Sequence, residues 1–99
     1  METHDTKTME MTGAELITIE RQRQIDVEGW TPEHDDKYDH GEMWLAASCY
    51  MALDDFEKAP ELWPWSKSWW KPKDRINNLV RAGALIAAEI DRLRRKGES

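Results

Sequence analysis

The chain has 99 residues, of which 20 are Asp or Glu and 14 are Lys or Arg, so its formal net charge is −6. This length fits one small domain and excludes a two-domain enzyme, and no apolar run of about 18 residues predicts a transmembrane helix. The polar N-terminus has no apolar signal-peptide core, which predicts a cytoplasmic protein. The single Cys49 allows neither an internal disulfide nor a cysteine zinc site.

Charge is distributed unevenly along the chain. Residues 1–61 hold 16 acidic and 5 basic side chains, a net of −11, whereas residues 62–99 hold 4 acidic and 9 basic ones, a net of +5. The two halves should attract each other, within one chain or between copies. An acidic chain is a poor binder of bulk nucleic acid, because neutralising phosphates needs positive surface. The basic half can still present a local anion site.

The first predicted helix covers about residues 13–28, after a disordered arm over residues 1–11. Thr12 and Glu15 have the Thr-x-x-Glu spacing of a capping box, and Gly29 is placed to end the helix. We expect one helical domain over residues 12–99.

A polar loop over residues 30–41 follows, in which Thr31-Pro32 can open a short helical turn. Asp39 and Glu42 have the spacing of a second capping box, which predicts a second helix over about 41–53. Its apolar face is formed by Met43, Ala46, Ala47, Tyr50 and Leu53, widened by Trp44 and Met51. Cys49 lies in this helix and is expected to be a buried structural thiol.

The third predicted helix covers about residues 73–96, after a connection rich in Trp and Pro. Apolar side chains recur along it every three or four residues, at Ile76, Leu79, Val80, Gly83, Ile86, Ala87, Ile90 and Leu93. No hairpin signal occurs, so the predicted fold is all-α, with three main helices and a tryptophan-rich loop. The length of this apolar face and the opposite charges of the two halves favour a homodimer.

Several strings of this sequence resemble a group of small phage and prophage proteins. They are Glu28-Gly29-Trp30-Thr31-Pro32-Glu33-His34-Asp35-Asp36, Gly41-Glu42 with Ala46-Ala47 and Cys49-Tyr50, Trp63-Pro64-Trp65, Trp70-Lys71-Pro72, and Leu79-Val80-Arg81-Ala82-Gly83-Ala84-Leu85-Ile86. The resemblance covers about residues 20–95. It implies a viral accessory protein acting in the cytosol of a bacterial host, where such proteins often manage nucleotide pools or block host defences.

The tryptophan-rich connection is the leading candidate for a ligand site. Basic side chains lie directly beside its aromatic ones, and the candidate binding residues are Trp65, Trp69, Trp70, Lys71 and Arg75. Indole faces stack on nucleobases, and neighbouring cations suit a phosphate. The same tryptophans also fit a hydrophobic core or a protein interface, where Trp and Arg are enriched.

The acidic loop provides a second, catalytic alternative. Seven carboxylates lie between residues 26 and 42, and carboxylates arranged on one helical face can hold Mg²⁺. The candidate metal ligands are Asp35, Asp39, Glu42 and Asp91, with Glu42 and Asp39 as the catalytic pair. This layout is loosely similar to the MazG-like all-α nucleotide pyrophosphohydrolases. It departs from their second motif, Glu-x-x-Asp, because Glu89-Ile90-Asp91 has a shorter spacing.

The residues and the resemblance leave three functions open. The first is a non-enzymatic phage accessory module that sequesters a nucleotide-type small molecule or a host defence protein, without a cofactor. The main alternative is a Mg²⁺-dependent nucleotide pyrophosphohydrolase, and the third is a scaffold or regulatory partner with an acidic docking face.

Overall fold

The computed structural model describes residues 10–52 and 61–97 of the chain. Within these residues the helices are α1 (Gly13–Asp26), α2 (Pro32–Asp35), α3 (Glu42–Met51) and α4 (Arg75–Arg95), with a 3₁₀ turn over Lys67–Trp69 and no strand. The all-α prediction is confirmed. The predicted arm, apart from residues 10 and 11, and the predicted helix end at Leu53 lie outside the described residues. No helix in the two described stretches is long and apolar enough to cross a membrane.

Local capping signals place both ends of α1. The Thr12 hydroxyl accepts a hydrogen bond from the Glu15 amide at 3.1 Å, and the Glu15 carboxylate accepts one from the Thr12 amide at 2.8 Å. The predicted capping box is thus confirmed. Gly29 follows the helix in the left-handed region, with φ of 78°. The predicted helical turn is also present, since Thr31 caps α2 and Pro32 is its first residue.

The start of α3 differs from its prediction. Asp39 does not cap this helix, so the second capping box is wrong: Gly41 is the cap residue, with φ of 84°, and has no side chain to donate or accept. The Glu42 carboxylate instead accepts a hydrogen bond from the His40 amide at 2.9 Å. The predicted buried face is confirmed for Met43, Ala46, Ala47 and Tyr50. Trp44 and Met51 do not extend it, because both side chains are exposed.

Helix α4 begins at Arg75, two residues after its predicted start. Its cap is Asp74, whose carboxylate accepts a hydrogen bond from the Asn77 amide at 2.8 Å. Its predicted core face is largely wrong, since Ile76, Leu79, Ile86 and Ile90 are exposed. The buried positions are Asn78, Ala82, Ala84, Leu85, Ala88 and Arg92. Small side chains let helices approach closely, so the alanine face rather than the isoleucine face packs against the other helices.

Helix α4 is the helix against which each of the other three packs. Helix α3 meets it through Ala46 and Ala47, and these join Ala82 and Leu85 in one buried cluster. Helix α1 crosses it at Gly83, which lies against the Ile17 side chain. The absence of a side chain at Gly83 therefore sets how closely α1 approaches.

The tryptophan-rich segment closes the end of this core. Trp63 and Trp70 are both buried, as expected for core tryptophans. Trp70 stacks on the Tyr50 ring with 4.7 Å between ring centroids, and Trp63 meets the same ring edge-on at 5.5 Å. Because Tyr50 lies on α3, this aromatic group ties the connection between α3 and α4 to the helices.

Candidate ligand-binding cleft

A cleft opens between the C-terminal half of α1, the tryptophan-rich segment and α4. Its inner part is a cavity of about 110 Å³, walled on the aromatic side by Trp30, Tyr50 and Trp69. The turn after α1 brings Trp30 here, because the Trp30 amide donates a hydrogen bond to the carbonyl of Gln24 at 3.0 Å. We call this space the inner cavity.

The aromatic wall is rigid at its base and open at its rim. Tyr50 is buried, and its hydroxyl oxygen accepts a hydrogen bond from the Lys71 amide at 3.3 Å. Trp69, by contrast, is 44% exposed and belongs to the short 3₁₀ turn. One face of a ligand ring could therefore lie on Trp69 without any rearrangement of the core.

Gln24 is the most unusual polar residue of the inner cavity. It is fully buried, and its side-chain nitrogen donates a hydrogen bond to the Glu20 carboxylate at 3.1 Å. That bond fixes the orientation of the amide, because turning it over would set its oxygen against a carboxylate. The side-chain oxygen of Gln24 has no hydrogen-bond partner among the described residues.

The charged side chains of the inner cavity are Arg23, Glu28, Lys71 and Arg81. Arg23 binds Glu20 through two hydrogen bonds of 2.8 and 2.9 Å and reaches Glu28 at 3.2 Å. Arg81 donates to the Lys71 carbonyl at 3.0 Å and lies over the Tyr50 ring. Both guanidinium groups are thus held in place by their partners.

Glu20 is the carboxylate that links these groups. Partial burial would raise its pKa, but the hydrogen bonds and charge of Arg23, together with the charge of Arg81, outweigh it and hold the pKa below its ordinary value. Glu20 therefore stays ionised at neutral pH and continues to orient Arg23 and Gln24.

An outer groove of about 470 Å³ continues from the inner cavity. The two share Arg23, Glu28, Lys71 and Arg81, and the groove adds Glu20, Val27, Lys73, Asn77 and Val80. The substituents of a ring bound in the inner cavity would therefore extend into a groove that is lined by charges of both signs.

The structure places only two of the five predicted ligand-binding residues in the wall of the inner cavity. Trp69 and Lys71 line the inner cavity. Trp65 stands behind it, with ring centroids 5.8 Å from Trp30 and 6.3 Å from Trp69. Trp70 is buried and stacked on Tyr50, and it lines neither the cavity nor the groove. Arg75 is exposed on the first turn of α4, also outside both.

Sequence reasoning missed the residues that α1, its following turn and α3 contribute: Arg23, Gln24, Trp30 and Tyr50. One signal was available, because the apolar positions of the first helix do not form a clean stripe. A polar residue such as Gln24 on the buried side of a helix is the kind of exception that often marks a site.

The acidic loop does not form the predicted cluster. Asp35 is buried and bound to Arg21 at 2.6 Å, whereas Asp39 faces His40 at 2.9 Å and Asp91 is exposed on α4. Over residues 10–52 and 61–97, no three His, Cys, Asp or Glu side chains come together as metal ligands could. The geometry thus does not support Asp35, Asp39, Glu42 and Asp91 as a Mg²⁺ site, nor Asp39 and Glu42 as a catalytic pair beside one.

Cys49 lies away from any such chemistry. It is buried in α3, and burial raises the pKa of its thiol. These are the properties of the structural cysteine that its position predicted. The chain matches no family model, no curated protein and no solved structure.

Proposed function

We propose that the protein is a non-enzymatic binding module whose cleft sequesters a nucleotide-type ligand. The base would enter the inner cavity and lie against Trp69, and the phosphate would occupy the outer groove. Stacking on an aromatic side chain contributes about 1–3 kcal/mol per base. The basic side chains of the groove supply the electrostatic complement to a phosphate.

The observation that carries this proposal is the unsatisfied oxygen of Gln24. A buried acceptor without a hydrogen bond costs about 1–3 kcal/mol, so such a group in a folded protein calls for an explanation, such as strain, a catalytic role, or a bound water or ion. Here we propose a bound ligand. Nucleobases carry ring N–H or amino groups, and each can donate to a carboxamide oxygen. Because this oxygen is buried, a base in the inner cavity would reach it only after a small opening of the wall at Gln24. The new hydrogen bond would then remove the cost and orient the base.

The size of the inner cavity supports a single ring rather than a larger apolar ligand. Its volume is about 110 Å³, which is less than the roughly 150 Å³ of a protein cavity that holds benzene, so it has room for no more than one ring, and part of that ring would lie at the open rim. A sugar and phosphate would have to lie outside it, where the groove begins.

The resemblance to phage and prophage proteins supports an accessory role in the cytosol of a bacterial host. A protein that holds a nucleotide signal would lower its free concentration and so weaken a host defence that depends on it. A host defence protein remains the second target class, and for it the exposed Trp69 would serve as an interface anchor.

Isothermal titration calorimetry with a panel of nucleotides, in buffer without Mg²⁺, tests the proposal. We expect Trp69→Ala to weaken binding roughly 5- to 150-fold, which corresponds to the loss of one stacking contact. Trp44→Ala is the matched control, because Trp44 is also exposed but lies on α3 outside the cleft. Equal effects of the two substitutions, or no binding of any nucleotide, would contradict the proposal.

A recovery experiment separates sequestration from turnover. The bound nucleotide is released by heating the complex and is quantified by chromatography, with and without Mg²⁺. Sequestration predicts that the same species returns intact under both conditions. Conversion to a monophosphate in the presence of Mg²⁺ would instead indicate a pyrophosphohydrolase.

A further inference from the structure

The cations of the outer groove differ in how far they are already occupied. Four basic side chains line it: Arg23, Lys71, Lys73 and Arg81. Arg23 is bound by both Glu20 and Glu28, and Arg81 is bound to the Lys71 carbonyl and lies 3.7 Å from Glu20. These two guanidinium groups therefore have little positive charge left for a ligand.

The two lysines are in a different state. Both are exposed, and neither side-chain amine makes an ion pair or hydrogen bond with another residue in the described part of the chain. They lie two residues apart on the segment that leads from the 3₁₀ turn to α4, and both line the groove. Next to the inner cavity the groove thus offers two ammonium groups that no side chain of residues 10–52 or 61–97 pairs with.

The charged side chains of the groove leave a net of +2, because the two carboxylates balance the two guanidinium groups and the two lysines remain. Glu20 and Glu28 line it together with the lysines. A phosphate monoester carries about −1.5 to −2 charges near neutral pH, which the two ammonium groups can neutralise. Each further phosphate adds at least one negative charge, which the net charge of the groove does not balance.

From this balance we infer that the cleft selects a nucleoside monophosphate over the di- and triphosphates of the same base. The inference rests on the proposed function, because it assumes that the base occupies the inner cavity. In the outer groove Lys71 and Lys73 bind the phosphate, and Glu28 keeps the net positive charge too low to balance a longer phosphate chain.

Calorimetry at one fixed ionic strength, without Mg²⁺, tests the selectivity with three ligands of one base: the nucleoside, its monophosphate and its triphosphate. We expect the monophosphate to bind tightest and the triphosphate to bind about tenfold or more weakly than it, because like charges brought together oppose binding. The double variant Lys71→Ala/Lys73→Ala should reduce monophosphate affinity to that of the nucleoside.

Glu28→Gln provides the sharper test. It removes one carboxylate from the groove while Arg23 keeps Glu20 as its partner. It should therefore reduce the difference in affinity between the monophosphate and the triphosphate. Glu33→Gln is the matched control, since Glu33 is an exposed glutamate of α2 outside the groove.

The outcomes distinguish the inference from the proposed function. Equal or tighter binding of the triphosphate than of the monophosphate, or an unchanged preference in Glu28→Gln, overturns the inference while base binding stands. If none of the three ligands binds, the nucleoside included, both the inference and the proposed function are overturned.

Discussion

The contact between Gly83 and Ile17 predicts that Gly83→Ala destabilises the native protein but stabilises the Ile17→Ala variant. A Cβ atom added at Gly83 would lie 2.5 Å from Cδ1 and 2.8 Å from Cγ1 of Ile17. Replacing an interior helical glycine with alanine gains about 0.8–1 kcal/mol of helix propensity. Overpacking of this kind costs about 1–3 kcal/mol. We therefore expect Gly83→Ala to lower the free energy of unfolding by about 1 kcal/mol.

The Ile17→Ala background should reverse this result. Without the side-chain atoms beyond Cβ of Ile17, the added methyl group meets no clash and fills part of the space that the truncation leaves. Gly83→Ala should then raise the free energy of unfolding by about 1 kcal/mol relative to Ile17→Ala alone. Gly13→Ala is the matched control, because a Cβ there meets nothing within 4 Å.

Thermal unfolding followed by far-ultraviolet circular dichroism measures all four combinations. A change of 1 kcal/mol shifts the midpoint by about 4–8 °C in a domain of this size. Stabilisation by Gly83→Ala in the native background, or equal destabilisation in both backgrounds, would refute the close approach of α1 to α4 at this position.

Three further predictions concern the buried charges and the thiol. Arg21→Met should lower stability by about 3–5 kcal/mol in urea unfolding, because it leaves Asp35 buried without its cation; the same change at the exposed Arg94 serves as control, and a similar effect there would contradict the assignment. The pKa of Glu20 lies below its ordinary value in the folded chain, so its ionisation stabilises the fold above the unfolded-state pKa, and this stabilisation is lost as the pH falls through the folded-state pKa. Glu20→Gln should therefore reduce the loss of unfolding free energy at acid pH. An unchanged dependence of stability on pH would contradict the role of Glu20. Cys49 should react slowly with a thiol reagent at pH 8 until urea is added, because its thiol is buried and its pKa is raised; a rate equal to that of a small free thiol would show that the residue is accessible.

The elements that were predictable from sequence are those fixed by neighbours along the chain. The Thr12–Glu15 capping box needs only residues three positions apart, and it is present as predicted. The orientation of α4 depends on what it packs against. Periodicity alone favours the side with the bulkiest apolar residues, but close packing against α3 favours the alanine side, so Ile86 and Ile90 remain exposed. The pairing of two copies through this exposed face stays a prediction.

In the cleft, too, the residues close together in sequence were predictable and those brought together by the fold were not. Trp69 and Lys71 were identified because they are two residues apart and of the right chemical types. Gln24, Trp30 and Tyr50 come from separate segments, and only the fold brings them to one cavity. The sequence also could not show that Trp70 is buried behind Tyr50, because core and surface tryptophans have the same local composition around them.

The dependence of every other helix on α4 has a consequence for how the chain acquires its structure. The 14 residues of α1 and the 10 of α3 are close to or below the length of about 12–15 residues at which isolated helices are only marginal in water. A nascent chain that has emerged only as far as residue 74 contains both helix-forming segments but not the helix against which they pack. Folding during synthesis should therefore wait for Arg75–Arg95 to leave the ribosome and then proceed in one cooperative step, with the earlier segments open to proteases and chaperones until that point.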